Sequence, residues 1–294
     1  MKFSVVIPTM RREKILKATL DSLQACKPAP GEVIVIDADE GGSSEPVVTA
    51  FDREVDPSVR YIRSPPSLTL QRNVGIEDAS GDVVVFLDDD VSIQPDLFAL
   101  LDKVYDDPTV VGVTGRVVEP ISERRGGPMS VWRRLLPGGG REGTFTRYGY
   151  PRYIRDIERP RDVEFMQGCF MSARSEAAAK VRFDERMGGY ALAEDEDFSF
   201  RLSRLGRIRY EPTMIVVHRK LGFGSQDARR FGRLVVVNRA YLFRKNFRAT
   251  PLARAQFAML IGLLVAHRLV NLEWRGAQGL VEGAFQVLRE RRTS

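Results

Sequence analysis

Val83-Val84-Val85-Phe86-Leu87-Asp88-Asp89-Asp90 is the stretch whose reading decides the fold. Five consecutive β-branched or large apolar residues read as a strand buried on both faces. Open α/β sheets bind their ligands outside the carboxyl ends of such strands. Three carboxylates crowded at that point repel one another unless a cation or a donor-rich ligand compensates them. A divalent metal holding a phosphorylated substrate is the economical compensation, and oxygen ligands favour Mn²⁺ or Mg²⁺ over zinc. A solvated acidic turn is the plainer alternative, and the segments on either side argue against it.

Upstream, strand and helix signals alternate. Phe3–Ile7 reads as a strand, and Ile15, Leu16, Leu20 and Leu23 follow helical spacing. Val33–Ile36 is a second buried strand ended by Asp37, Val59–Ile62 a third, and Leu70–Ala79 a helix. Such alternation implies βαβ units, an α/β domain with a mostly parallel, Rossmann-like sheet flanked by helices. It brings Thr9, Asp37 and Asp88–Asp90 to one sheet edge. Downstream, Pro95-Asp96 opens a helix, Val110–Thr114 reads as a strand, and Arg124–Tyr150, with Gly138-Gly139-Gly140, has the composition of a loop or lid. Val163–Met171 is a strand-like run, Glu194–Leu205 a helix, and Arg207–Tyr210 and Ile215–Val217 closing strands.

Composition narrows the chemistry. The 294 residues are 43% hydrophobic and 29% charged, as in a globular protein large enough for one α/β domain with an appendage. Cys26 and Cys169 stand apart, which argues against a disulfide framework or a structural zinc site. Only two histidines, His218 and His267, are present, so a general base is expected to be a carboxylate. The net charge of +6 is concentrated in Arg124–Arg161 and beyond Arg201, and no nucleic-acid-binding signature accompanies it. The N-terminus lacks the length and cleavage site of a signal peptide. The apolar run Phe257–Ala266 is too short to span a bilayer, so a cytoplasmic protein, soluble or peripheral at the inner membrane face, is expected.

Six constellations carry candidate chemistry. Val5-Val6-Ile7-Pro8-Thr9 with Arg11-Arg12 offers a strand-end turn for a ligand. Asp37 and Asp39 can accept from a nucleobase or a ribose, or merely cap a loop. Gln71-Arg72-Asn73-Val74-Gly75 puts an arginine near a helix start, where it can clamp a diphosphate, and an asparagine that can hold a neighbouring backbone. Asp88-Asp89-Asp90 is the fourth. Glu194-Asp195-Glu196-Asp197 suits a helix N-terminus and includes a competent base for a sugar hydroxyl, which the helix dipole should keep ionised. His218, at a strand end, can be structural or a third metal ligand.

In this order the six resemble the family 2 glycosyltransferases with the GT-A fold, over roughly Lys2 to His218. Val-Val-Ile-Pro-Thr is similar to that family's first strand, Asp37 to its nucleotide-binding aspartate, Arg72-Asn73-Val74-Gly75 to its helix start, and Asp88-Asp89-Asp90 to its DxD motif. Glu194-Asp195-Glu196-Asp197 with Arg201 resembles the acceptor-side acidic motif. The resemblance implies donor-nucleotide contacts from Pro8, Thr9, Arg11, Asp37, Asp39, Arg72, Asp88 and Asp89. It implies Mn²⁺ or Mg²⁺ held by Asp90, Asp88 and His218, and a base in Asp195 or Glu194. The expected partners are a nucleotide-diphosphate sugar and a saccharide or lipid-linked acceptor. The processive Gln-x-x-Arg-Trp motif is not found and no transmembrane helix is expected, which implies non-processive transfer of one sugar; the resemblance implies inversion and a place in cell-surface glycan, polysaccharide or glycolipid synthesis. A nucleotidyltransferase is disfavoured because Pro8-Thr9-Met10 lacks a Gly-rich loop, and a non-catalytic nucleotide-sugar binder because the acids are all present.

The expected division is a catalytic domain over 1–220 and a helical extension over 221–294. Thr250-Pro251 starts a helix. The stripes Phe257, Leu260, Ile261, Leu264, Val265 and Leu280, Val281, Phe285, Leu288 are expected to pack on the sheet domain or a homodimer partner, or to touch a membrane surface beside Arg254, Arg268 and Arg289.

Overall fold

The computed structural model describes residues 1–52, 58–119, 141–155, 157–187, 191–219 and 227–293. Gly138–Gly140 and Gly188-Gly189 lie outside the described residues. Compact units form from Met1–Ile121 with Ile154–Leu221, and from Ser122–Tyr153 with Gly222–Ser294. The described part of the Gly/Arg stretch therefore groups with the C-terminal helices.

Among the described residues the first unit is built on one sheet of nine strands: β1 (Phe3–Thr9), β2 (Glu32–Asp37), β3 (Ser58–Arg63), β4 (Val83–Leu87), β5 (Val91–Ile93), β6 (Val110–Val118), β7 (Arg161–Val163), β8 (Phe170–Arg174) and β9 (Arg207–His218). Its order is β3-β2-β1-β4-β8-β6-β9-β5, with β7 on β9. The strands β3, β2, β1 and β4 are mutually parallel. Beyond β4 the sheet is mixed, because β8 runs antiparallel between β4 and β6. Thr9 lies opposite Asp37, which puts the two strand ends at one edge, as the alternation predicts.

Side-chain alternation explains the layering. On one face Val5, Ile7, Val33, Val35, Val83, Val85 and Leu87 pack with α1 (Glu13–Gln24), α2 (Glu45–Asp52) and α4 (Leu97–Tyr105). On the other, Val6, Ile34, Ile36, Val84 and Phe86 pack with α3 (Leu68–Asp78), α5 (Ser175–Val181) and α6 (Glu194–Leu202). All five residues of β4 are wholly buried, each worth roughly 1.5–3 kcal/mol relative to exposure. Gly75 lets α3 approach β1: a Cβ there would stand 2.2 Å from Val6 Cγ1.

Two expectations change. The run Val163–Met171 divides into β7 and the start of β8, since β7 pairs with β9 while β8 pairs with β4 and β6. The two closing strands are one, β9, continuous through a register shift opposite Gly115/Arg116.

The second unit contains α7 (Ala228–Asn246), α8 (Pro251–Val270) and α9 (Trp274–Thr293). Thr250 caps α8 through the backbone N–H of Ala253, with Pro251 in the first turn, as read from the sequence. The α8 stripe is consumed inside this unit. Ile261 with Phe257, Leu264 and Val265 packs on Val236 and Ala240 of α7 and on Leu280 and Val287 of α9, and Leu260 joins Tyr148 and Phe243. The expectation that the apolar segment is too short to span a bilayer is corrected. Helix formation extends it to 20 residues with a mean hydropathy of 1.3 over an 18-residue window, enough to cross a membrane by length and composition.

Candidate active site

Thr9, at the end of β1, donates from Oγ1 to Asp89 Oδ2 at 2.8 Å. Pro8 before it is buried in the strand. Gln71 Nε2 donates to the carbonyls of Thr9 and Ile36, at 3.0 and 2.8 Å, and so ties the ends of β1 and β2 from α3.

Arg11 takes a left-handed backbone, φ 54°, which turns it and Arg12 toward different acids. Arg11 Nε donates to Asp39 Oδ1 at 2.9 Å, and Arg12 reaches Asp89 at 2.7 Å and Asp90 at 2.9 Å. Asp37 is wholly buried. Its carboxylate accepts from the Asp39 N–H, the Ser44 N–H and the Tyr61 hydroxyl at 2.9, 3.2 and 2.9 Å, so it shapes the loop that presents Asp39. Arg11 and the Ser43 N–H and hydroxyl hold the Asp39 carboxyl down at about 2.

The three aspartates after β4 diverge. Asp88 keeps some exposure, with Oδ1 3.2 Å from Arg72. Burial pushes Asp89 up to about 7 against the pull of Arg12 and Thr9. Burial also opposes ionisation of Asp90, but His218 and Arg12 outweigh it and bring that carboxyl below its ordinary range. His218, at the end of β9, sets Nε2 3.1 Å from Asp90 Oδ1 and 4.0 Å from Asp88 Oδ2, with Nδ1 3.8 Å from Glu119. Burial disfavours its charge, yet Asp90 and its other partners push it up to about 12.

Arg72 is 1% exposed. Its guanidinium donates to Glu194 Oε1 at 2.7 Å, Asp88 Oδ1 at 3.2 Å and the Gly168 carbonyl at 3.0 Å. It lies 5.3 Å from the Phe183 ring, which stacks on Phe198 at 4.3 Å. Asn73 holds the Phe183 backbone from both amide ends, at 2.9 and 2.8 Å, the backbone-holding role read from its position.

Two alanines with positive φ, Ala191 at 46° and Ala193 at 73°, lead into α6. Non-glycine residues pay about 1–2 kcal/mol for that geometry, and such strain gathers at functional sites. Glu194 is buried on Arg72. Asp195, only partly buried, accepts from the Gly168 N–H at 3.0 Å through Oδ2 and from the Glu196 N–H at 2.9 Å through Oδ1. The helix dipole does not keep these acids in their ordinary range. Burial raises both, Asp195 well above it, where repulsion from Glu194 and Glu196 adds to burial. Arg201 grips Asp197 and the Arg182 carbonyl, anchoring α6 to the end of α5.

A divalent cation suits the Asp88–Asp90–His218 group. Two carboxylate oxygens and an imidazole nitrogen lie within 4.8 Å of one another. Oxygen donors suit Mn²⁺ and Mg²⁺, and the nitrogen leans toward Mn²⁺. The acids gather at one sheet edge as the sequence reading expects; that reading named Arg12 and Gln71 without giving them a role, and did not name Gly168. Arg12 stood beside Arg11 in the sequence; the backbone turn that separates their partners had no signal.

Comparisons with known proteins agree with this geometry. The model of Glycosyl transferase family 2 matches residues 4–182. A pre-mycofactocin glycosyltransferase of Mycobacterium tuberculosis is 28% identical over 222 residues, 73% of this chain and 42% of that protein. A glucosyl-dolichyl phosphate glucuronosyltransferase of Haloferax volcanii is 33% identical over 129 residues, 40% of this chain and 39% of that protein. The chain thus spans less than half the length of these curated relatives. The mannosyltransferase PcManGT of Pyrobaculum calidifontis, solved with GDP-Man and Mn²⁺, shares the fold at a TM-score of 0.61 and 16% identity, covering 98% of this chain and 87% of that one. The family match covers more than half of the chain and the fold agrees with it: this chain belongs to glycosyl transferase family 2.

Proposed function

We propose that the protein transfers one sugar, with inversion, from a nucleoside-diphosphate sugar to an acceptor hydroxyl of a glycan or glycolipid. One observation carries this reading. Buried Arg72 touches both Asp88, in the acid–histidine group, and Glu194, beside Asp195, so a single side chain links a place for the diphosphate to a place for a base.

In this reading Asp39, rather than fully engaged Asp37, meets the nucleoside, with Arg11 moving aside or stacking on it. Pro8 and Thr9 form the floor, and Asp89 is held by Thr9 and Arg12 as a support. Asp90, Asp88 and His218 would hold Mn²⁺ or Mg²⁺ once the ion displaces the proton that Asp90 keeps on the imidazole; when bound, the cation would neutralise charge developing on the departing diphosphate. Arg72 acts from beneath, fixing Asp88 rather than touching the diphosphate. The acceptor oxygen attacks the anomeric carbon opposite the leaving group, and Asp195 takes its proton. Glu194 is a poorer base because its Oε1 is spent on Arg72. Asp195 must ionise to act, and the charge of the nearby Arg72 guanidinium favours that.

The test is nucleotide release from UDP-, GDP- and dTDP-sugars with Mn²⁺, Mg²⁺ or EDTA, together with calorimetry of donor binding. Expected is metal-dependent turnover of one donor, with donor affinity lost in Asp90→Ala. Asp195→Asn should lower kcat by about 10²–10⁴ while leaving donor affinity intact. Failure of every nucleotide sugar to bind with either metal would overturn the proposal.

A further inference from the structure

The second unit leaves much of the apolar surface of α8 and α9 uncovered. α9 packs its glycine face on α7, where a Cβ on Gly279 or Gly283 would meet the backbone carbonyls of Arg229 and Arg233 at 1.9 and 2.8 Å. Leu280 and Val287 pack beside that face, but the other bulky apolar residues of α9 point away. Trp274, Val281, Phe285 and Leu288, spaced to share one helix face, are 63, 39, 60 and 55% exposed. α8 also exposes large apolar residues beyond its packed stripe: Leu252, Met259 and Val270 are 54, 46 and 66% exposed, and only 11% of its apolar window is buried. Large apolar side chains left exposed on two helices, beyond those packed inside, depart from the arrangement of a helix whose solvent is water.

Charge selects the occupant. Residues 227–294 contain thirteen Arg and Lys against four Asp and Glu, more positive excess than the +6 of the whole chain, so residues 1–226 are net negative. Arg254, Arg275 and Arg289, all exposed, stand on the same helices as the apolar residues. A second copy would bring two strongly basic units together, whereas anionic lipid headgroups complement them.

We infer that the helical unit docks on an anionic phospholipid bilayer, with the outward residues of α8 and α9 entering the headgroup–acyl boundary and the arginines meeting lipid phosphates. The inference does not rest on the transfer reaction.

The full chain carrying Trp132→Phe, which leaves Trp274 as its single tryptophan, is titrated with phosphatidylcholine vesicles with and without phosphatidylglycerol. Expected is a blue shift of Trp274 emission and co-sedimentation at least about tenfold stronger with the anionic vesicles, weakened by salt. Phe285→Asp with Leu288→Asp should lower partitioning by about tenfold or more. Because both side chains are exposed, the thermal melt of that variant should match its parent. Equal partitioning to neutral vesicles, no shift of Trp274, or unchanged partitioning of the aspartate variant would each overturn the inference. So would a doubled mass in sedimentation without lipid, accompanied by a shielded Trp274, which would assign the face to a second copy.

Discussion

Arg72 shows how much one residue can be asked to hold. A guanidinium with almost no exposure is tolerable only because Glu194, Asp88 and the Gly168 carbonyl accept from it. Arg72→Met would leave Glu194 buried without its partner. The expected cost is about 3–5 kcal/mol in a urea melt, and donor-dependent turnover should fall as well. Glu32 is a second such residue, far from the chemistry. It accepts from Ser4 at 2.5 Å, from the Ser80 N–H and hydroxyl at 2.7 Å, and from Arg60 at 2.6 Å. Burial opposes its charge, but these donors bring its carboxyl down to about 2 from an ordinary 4.5. A carboxyl depressed in the folded state stabilises fully above its unfolded value, and that stability is lost as pH falls from about 4.5 toward 2. Glu32→Gln should therefore be less stable than wild type near neutral pH by about 1–3 kcal/mol. The gap should narrow in melts at about pH 3; a constant gap would mean that packing, not charge, sets it.

At the scale of elements, the local grammar of the chain was readable wherever neighbours in sequence act together. The strands leading to Thr9, Asp37 and Asp88, and the acidic start of α6, follow from runs and periodicity, which is why the candidate acids were found. What escaped depends on pairing between distant segments. Nothing near Phe170 announces that β8 will run antiparallel between β4 and β6, and nothing near Val163 announces that its partner is β9. Short α5 escaped for the same reason, and the surface met by the α8 and α9 stripes stayed open: apolar periodicity reports that a face is apolar, not which surface it meets. The contact of α3 with β1 can be tested directly. Gly75→Ala gains about 1 kcal/mol of helix propensity but sets a methyl 2.2 Å from Val6 Cγ1. Overpacking of this kind costs about 1–3 kcal/mol or more. A net loss of stability is expected, with a fall in turnover because Arg72 sits one turn away on the same helix; a stabilised, fully active variant would show that α3 is free to shift.

At the scale of the whole molecule, the sheet unit is not a continuous length of chain. Its path is interrupted between Ile121 and Ile154, and the described residues of the interruption belong with the helices. Tyr148, 1% exposed, packs with Phe243, Ala253 and Leu260, and Phe145 meets Phe247 at 5.8 Å between ring centroids. For anyone expressing the protein in pieces, this decides where scissors can go. A stop codon after Leu221 looks like a clean domain boundary, yet it strips the aromatic cover from Phe145 and Tyr148. Such a fragment should bind a hydrophobic dye and precipitate where the full chain stays in solution, and soluble yield on a sizing column would reveal it. Excision of the interruption together with the tail removes the orphaned aromatics along with their cover, and is the cut from which a tractable catalytic fragment should come.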